Sequence, residues 1–223
     1  GSRALIVVCE DDSVARSRFG VTTGETGTVM TRTGRAFFPG RAMTEQMLAR
    51  VRGALSASGF WTRHQTRWAL IDAEILPWSA KAQGLIRQQY AATGAAARAG
   101  LDAAIGLLEG AERHGVQVEP LLTRFRERGF AARRYVEAYR RYCWPVHSIA
   151  DYRVAPFHLL ATEGRVHMDK DHVWHMSELR LVTEGLEPTL MSTPYRVVRL
   201  ADEGSVAAAT QWWSERVAEV GAR

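Results

Sequence analysis

Two carboxylates, Asp72 and Glu74, interrupt the apolar run Trp68-Ala-Leu-Ile-Asp-Ala-Glu-Ile-Leu76, and Pro77 closes it. Side chains alternate between the faces of a strand, so acids two positions apart share a face. An apolar strand ending in an acid and a proline delivers a carboxylate to the mouth of a pocket, where it can accept hydrogen bonds from a ligand. The blander reading is an edge acid paired with a surface arginine, since many buried strands end in an acidic turn. Of the two, Glu74 is the better ligand contact, with Asp72 shaping the turn or reaching a metal shell.

Other segments supply cations and rings. In Thr31-Arg-Thr-Gly-Arg35, Arg32 and Arg35 flank Gly34. Two arginines on a glycine turn present forked donors to a phosphate or ribose without obstruction, although a solvated hairpin tip has the same composition. Within residues 167–175, His172 and His175 are three apart and share a helix face, with His167 or Asp169 nearby. That spacing invites zinc, but no third ligand stands at a fixed interval, and a polar cluster or a substrate-facing surface suits the segment better. Residues 124–142 place Tyr135, Tyr139 and Tyr142 on one helix face, with Arg133, Arg134, Arg140 and Arg141 off it. Arginine beside aromatics suits RNA. A buried tyrosine stripe under solvated arginines fits equally well, and Glu127 and Glu137 weaken a phosphate track.

The elements that must position these groups follow from periodicity. Residues 4–10 read as a buried strand, 11–18 as a short helix or turn, and 19–38 as glycine-punctuated hairpins. Residues 43–55 carry apolar positions at helical spacing, and Gly59 ends that helix. The acidic strand occupies 68–76. From Ser79, a natural N-cap, to Tyr142 the chain is rich in Ala, Arg, Leu and Gln, which predicts helices broken near Gly94, Gly115 and Gly129. Residues 152–161 and 195–200 read as strands, 172–181 and 205–220 as helices. Without βαβ regularity, the class is α+β.

With 223 residues, 46% hydrophobic and 24% charged, the chain can bury a sizeable core. No apolar run reaches membrane-spanning length, and no signal peptide opens the chain. Cys9 and Cys143 lack metal-ligand spacing, which favours a reduced cytoplasmic setting, with Cys9 in the core. A net charge of +5, nearly all arginine, mildly favours a polyanionic partner.

Gly1-Ser-Arg3 followed by Ala-Leu-Ile-Val-Val8 resembles the second half of the Lys-x-x-Gly-x-Arg motif of lysine-dependent nucleotidyltransferases. Thr31-Arg-Thr-Gly-Arg-Ala-Phe-Phe38 resembles the next element, and Asp72-Ala-Glu74 the ribose-binding acids. Ala155-Pro-Phe-His-Leu-Leu-Ala161 resembles the later strand whose aromatic stacks on adenine. In order and spacing these motifs, with a helical block after Pro77-Trp-Ser-Ala-Lys-Ala82, are similar to the ligase (adenylyltransferase) domain of the bacterial polynucleotide kinase-phosphatase RNA-repair enzymes. Without that resemblance Arg3 is a surface arginine and Phe157 a core ring.

The resemblance implies a nucleotidyltransferase (ATP-dependent ligase-like) core of mostly antiparallel sheets carrying a large α-helical insertion. It divides the chain into core residues 1–78, helical insertion 79–147 and core residues 148–223. It implies a lysyl-AMP intermediate made from ATP with Mg2+ or Mn2+, and transfer of AMP to an RNA 5′-phosphate. Arg3, Arg35 and Glu74 would be catalytic, and Arg3, Arg32, Arg35, Glu74 and Phe157 would hold AMP or ATP. Lys81 would touch phosphate or simply be solvated. Kinase and phosphatase domains would precede, and an RNA 3′-end methyltransferase would be a partner. The family's lysine would fall just before residue 1, since Lys81 and Lys170 are the only lysines and neither has the motif's setting. Its later Glu-Gly-x-x-x-Lys element would follow Arg223, so the chain reads as a segment, with Gly1-Ser2 native or an expression scar. A non-catalytic RNA- or protein-binding module on a decayed nucleotidyltransferase core remains the alternative. A compact ligase or capping enzyme fits less well, because those lack the helical block.

Overall fold

A computed structural model describes residues 1–77, 84–185 and 187–220, without the side chains of Arg87, Tyr139, Arg141, Tyr142 and Val220. Five strands form one antiparallel sheet: β1 (Ser2–Cys9), β2 (Gly27–Thr31), β3 (Trp68–Leu76), β4 (Arg153–Thr162) and β5 (Arg165–Val166), in the order β2-β1-β3-β4-β5. The helices are α1 (Asp12–Phe19), α2 (Arg41–Ala57), α3 (Phe60–His64), α4 (Ala92–Arg113), α5 (Glu119–Tyr142), α6 (His172–Thr183) and α7 (Glu203–Val220). Among the described residues no helix is long and apolar enough to cross a membrane. This mixed α+β architecture with an antiparallel sheet is the fold class the sequence implies.

The chain forms two compact units: residues 1–78 with 145–209, and residues 79–144 with 210–223. In the first, Ala4, Ile6 and Val8 of β1 and Ala73 and Ile75 of β3 are fully buried, as are Met47, Leu48 and Leu55 of α2. Helix α2 lies against β1 and β2, and α6 lies against β4. Alternation leaves Arg3, Leu5 and Val7 opposite Glu74, Asp72 and Leu70 on the other face. Helix α1 covers one end of that second face, burying Cys9 and Trp68 with Val14 and Ala15. Burial pushes the Cys9 thiol up to about 11, the behaviour of a core residue.

Three segments differ from the sequence expectation. Residues 19–38 contain one strand rather than a set of hairpins: β2 ends in a turn at 31–35 and a single bridge joins Met30 to Ala36. Residues 195–200 are not a strand; Val197 and Leu200 are exposed, so no buried face rewards extended pairing. Helices α4 and α5 break only at Gly115, whose positive φ closes α4 with amides 115 and 116 donating to carbonyls 112 and 111. Gly94 and Gly129 lie inside helices because these pack closely there: a Cβ on Gly94 would meet Val136 Cγ2 at 2.8 Å, and one on Gly129 would meet Ile105 Cδ1 at 3.1 Å.

Candidate nucleotide-binding site at one end of the sheet

Antiparallel register brings four segments to one end of the sheet. Arg3 near the start of β1 lies opposite Glu74 near the end of β3, and Glu74 lies opposite Ala155 near the start of β4. Thr31 at the end of β2 lies opposite Ala4. The register between β3 and β4 shifts between Asp72 and Ala73, so Phe157 falls at an irregularity, between residues paired with Ala73 and Asp72.

Arg3 is clamped. Its Nε donates to both carboxylate oxygens of Asp72, at 3.0 and 3.1 Å, and its Nη2 donates to Oδ2 as well. Asp72 is only 3% exposed whereas the Arg3 side chain is about half exposed, at 47%. The hydrogen bonds and charge of Asp72 raise the Arg3 pKa above its ordinary value, and charge-assisted bidentate contact fixes the guanidinium plane. The Arg3 Cζ sits 5.2 Å from the Phe157 ring centroid, within cation–π range. Glu74 is half exposed, and its carboxylate lies 2.6 Å from the Gly1 backbone nitrogen.

Beside this group stands a histidine cluster that sequence reading missed in part. His158 lies opposite Asp72 in the register, and its Nε2 is 3.1 Å from Nδ1 of His172. The ring of His175 is 4.9 Å from that of His158, and its Nδ1 accepts the Leu159 amide at 3.2 Å. Burial lowers the pKa of His158, with His172 adding to it, and lowers that of His175, with His158 and His172 adding. His167 turns instead to Thr162 Oγ1, at 2.9 Å. Among the described residues no group of three or more His, Cys, Asp or Glu could hold a metal, so the zinc reading of residues 167–175 gains no support. The family-implied divalent cation likewise has no ready protein cage there. His158 is invisible to motif reading, because its place depends on strand register.

Arg32 and Arg35 belong to the turn after β2. The Thr31 amide donates to the Arg35 carbonyl at 2.7 Å, and Gly34 takes φ +78, which glycine adopts without strain. Both arginines are exposed at the same sheet end as Arg3, and among the described residues no side-chain hydrogen bond or ion pair joins them to Arg3, Glu74 or Phe157. Trp78, Ser79 and Lys81 lie outside the described residues. The structure thus joins Arg3, Asp72 and Phe157 directly, sets Glu74 beside Arg3 by register, and leaves the turn arginines free of that group. A clamped guanidinium, an aromatic ring and an accessible carboxylate make a set that can take a phosphate, a base and ribose hydroxyls.

A structure titled "Structure of Pnkp1/Rnl/Hen1 complex" matches 96% of this chain and 57% of its own, with a TM-score of 0.50 and 13% identity, which speaks to the fold. The chain therefore spans little more than half the length of that relative. No match is found among curated proteins. The sequence profile of the PNKP adenylyltransferase domain, ligase domain, covers residues 1–222, and the chain belongs to that family of ligase-type adenylyltransferase domains.

Proposed function

We propose that this chain forms most of the ligase module of an RNA end-healing and sealing enzyme, and that its sheet end holds the adenylyl group donated by ATP. The Asp72-clamped Arg3 against Phe157 is the observation that carries the reading. With one edge fixed on Asp72, Arg3 turns its remaining Nη1 to an α-phosphate oxygen, where a preorganised cation stabilises charge that grows in the transition state. Phe157 offers its ring to adenine, and Glu74 accepts the ribose hydroxyls. Arg35, and secondarily Arg32, meet the phosphates entering from the exposed turn. The nucleophilic lysine is contributed from ahead of Gly1, and its amine must lose its proton near neutral pH, which cationic neighbours such as Arg3 favour. A divalent cation, Mg2+ or Mn2+, supplies further neutralisation of the phosphates, and its ligands are not assigned to residues of this chain. RNA 5′-phosphate ends are the acceptor, kinase and phosphatase domains precede the module, and an RNA 3′-end methyltransferase is its partner. Residues 1–78 and 148–209 serve as the core and 79–147 as the inserted helical module, while residues 210–223, read from the sequence as core, group with the helical unit.

The test is direct. The full-length protein, given labelled ATP and a divalent metal, should acquire a covalent, acid-stable AMP adduct on lysine. Glu74→Ala should lower its yield by at least ~10-fold, the loss of one charge-assisted contact. No adduct from the intact protein would remove the catalytic reading and leave a binding module on the same fold. An unchanged yield in Glu74→Ala would remove Glu74 from the site.

A further inference from the structure

A concavity lies in the same unit, at the far end of β3 and β4. Its walls are the β4–β5 hairpin, the loop that follows it and the start of α6, and its volume is about 550 Å³, within the range of small-ligand pockets. In the register Thr162 lies opposite Ala69 while Ala155 lies opposite Glu74. Five strand residues therefore separate the groove from Glu74, about 17 Å at ~3.4 Å each.

Three side chains facing this groove have no task in the sites described above. Arg165 is exposed and has no hydrogen-bond or ion-pair partner among the described residues. Lys170 is 3.5 Å from Asp169, and both side chains are largely in water, so this pair is weak and its lysine can exchange to another anion. Trp174 is half buried, its ring 5.1 Å from that of His167 and edge-on to His64 at 6.4 Å. Those two imidazoles have partners of their own, Thr162 and Glu178, so they hold the indole without competing for a ligand. Burial lowers the pKa of both. The groove thus offers two available cations beside a braced aromatic face.

We propose that this groove holds a nucleotide of a single-stranded RNA, with Arg165 and Lys170 on its phosphate and the Trp174 ring against its base. Cations that track the backbone beside a stacking platform are the physical means of holding a single strand without reading its sequence. The placement favours a strand over a free mononucleotide. A groove ~17 Å from the adenylylation site is roughly five stacked nucleotides away at ~3.4 Å each, a distance one oligonucleotide covers. The inference rests on the adenylyltransferase reading for its biological sense, while the binding itself is measurable without catalysis.

The experiment uses the full-length protein and a short 5′-phosphorylated single-stranded RNA labelled at its 3′ end, read by fluorescence anisotropy, with lysyl-AMP formation measured in parallel. Arg165→Ala with Lys170→Ala should weaken RNA binding by about 10-fold and flatten its salt dependence by roughly 1.4 in log–log slope, the value for two lost phosphate contacts on a single strand. Trp174→Ala should weaken it by about 5- to 10-fold, and Trp174→Phe should restore part of the loss. Adduct formation from ATP should be unchanged in all these variants. Wild-type RNA affinity and salt slope in the groove variants, with the adduct intact, would overturn the groove. Displacement of the RNA by AMP alone at an affinity equal to the oligonucleotide's would overturn the strand assignment. Absence of the adduct in the wild-type protein would instead strike the adenylyltransferase reading, and the anisotropy would still decide the groove.

Discussion

Arg3 with Phe157 on the sheet and Arg134 with Phe130 on α5 make the same contact, guanidinium carbons 5.2 and 5.7 Å from ring centroids. They differ in what stands behind the arginine. Behind Arg3 is Asp72, almost fully buried and bonded to it through two nitrogens. No ion pair holds Arg134 among the described residues, and Phe130 is 58% exposed. Arg128 over Phe125 repeats the α5 arrangement, whereas Arg126 and Arg133 of the same helix are tied to Glu109 and Asp102 of α4. Arginine near an aromatic ring is thus cheap to obtain from composition. A desolvated carboxylate that fixes the guanidinium before any ligand arrives is what separates a site from a solvated surface.

The largest effect should come from removing the clamped arginine. Arg3→Ala leaves the Asp72 carboxylate buried without its partner, which should lower stability by about 1–3 kcal/mol in urea unfolding. It should also cut lysyl-AMP formation in the full-length protein by about 10²-fold, the usual loss on removing one preorganised charge-stabilising donor. Arg3→Lys keeps the charge but not the fork, so it should recover stability more than yield. A wild-type adduct yield in Arg3→Ala would erase the distinction between the two regions.

How much of this arrangement was legible in the sequence depends on whether it is local. The acidic strand at 68–76 coincides with β3, and the helix read at 43–55 lies within α2, because period-2 and period-3.6 patterns are properties of neighbouring residues. Residue types at the site were legible too, since arginines, acids and an aromatic are visible as such. Their pairing was not. The bond between Arg3 and Asp72 joins residues 69 apart, and only the β1–β3 register sets it. His158 escaped notice for the same reason. Gly94 and Gly129 misled in the opposite direction, because a glycine that ends a helix and one that lets two helices touch look alike in sequence.

Those glycines give the next largest effect, with a change of sign along one helix. Gly94→Ala places a methyl 2.8 Å from Val136 Cγ2, so overpacking of about 1–3 kcal/mol should outweigh the gain in helix propensity and lower the melting temperature. Gly100→Ala and Gly106→Ala, in the same α4, meet nothing within 4 Å and should each raise stability by up to about 1 kcal/mol. Equal shifts at all three positions would contradict the close crossing at Gly94.

Acid should separate the first unit from the second. Burial lowers the folded-state pKa of His64, His158, His167 and His175, all in the unit that carries the sheet. A histidine with a depressed folded pKa binds fewer protons folded than unfolded, so stability is full above the unfolded value of about 6.5 and falls as pH drops below it. The melting temperature should therefore decline between pH 7.5 and 5.5, and His158→Asn should flatten the decline. Beyond the burial of His175, protonating its Nδ1 would also remove the acceptor of the Leu159 amide. A flat pH profile in the wild type would show that these imidazoles are solvated well enough to titrate normally.

The smallest effect belongs to α5, and it tests the comparison from the other side. Arg134→Ala and Phe130→Ala remove an exposed contact with no buried partner behind it, so each should change stability by no more than about 0.5 kcal/mol. Neither should alter the yield of the AMP adduct, because nothing fixes that guanidinium in one orientation for a reacting group. If Arg134→Ala lowered the adduct as far as Arg3→Ala does, a buried carboxylate would not be what makes an arginine functional in this protein. The helix face would then have to be counted with the catalytic surface.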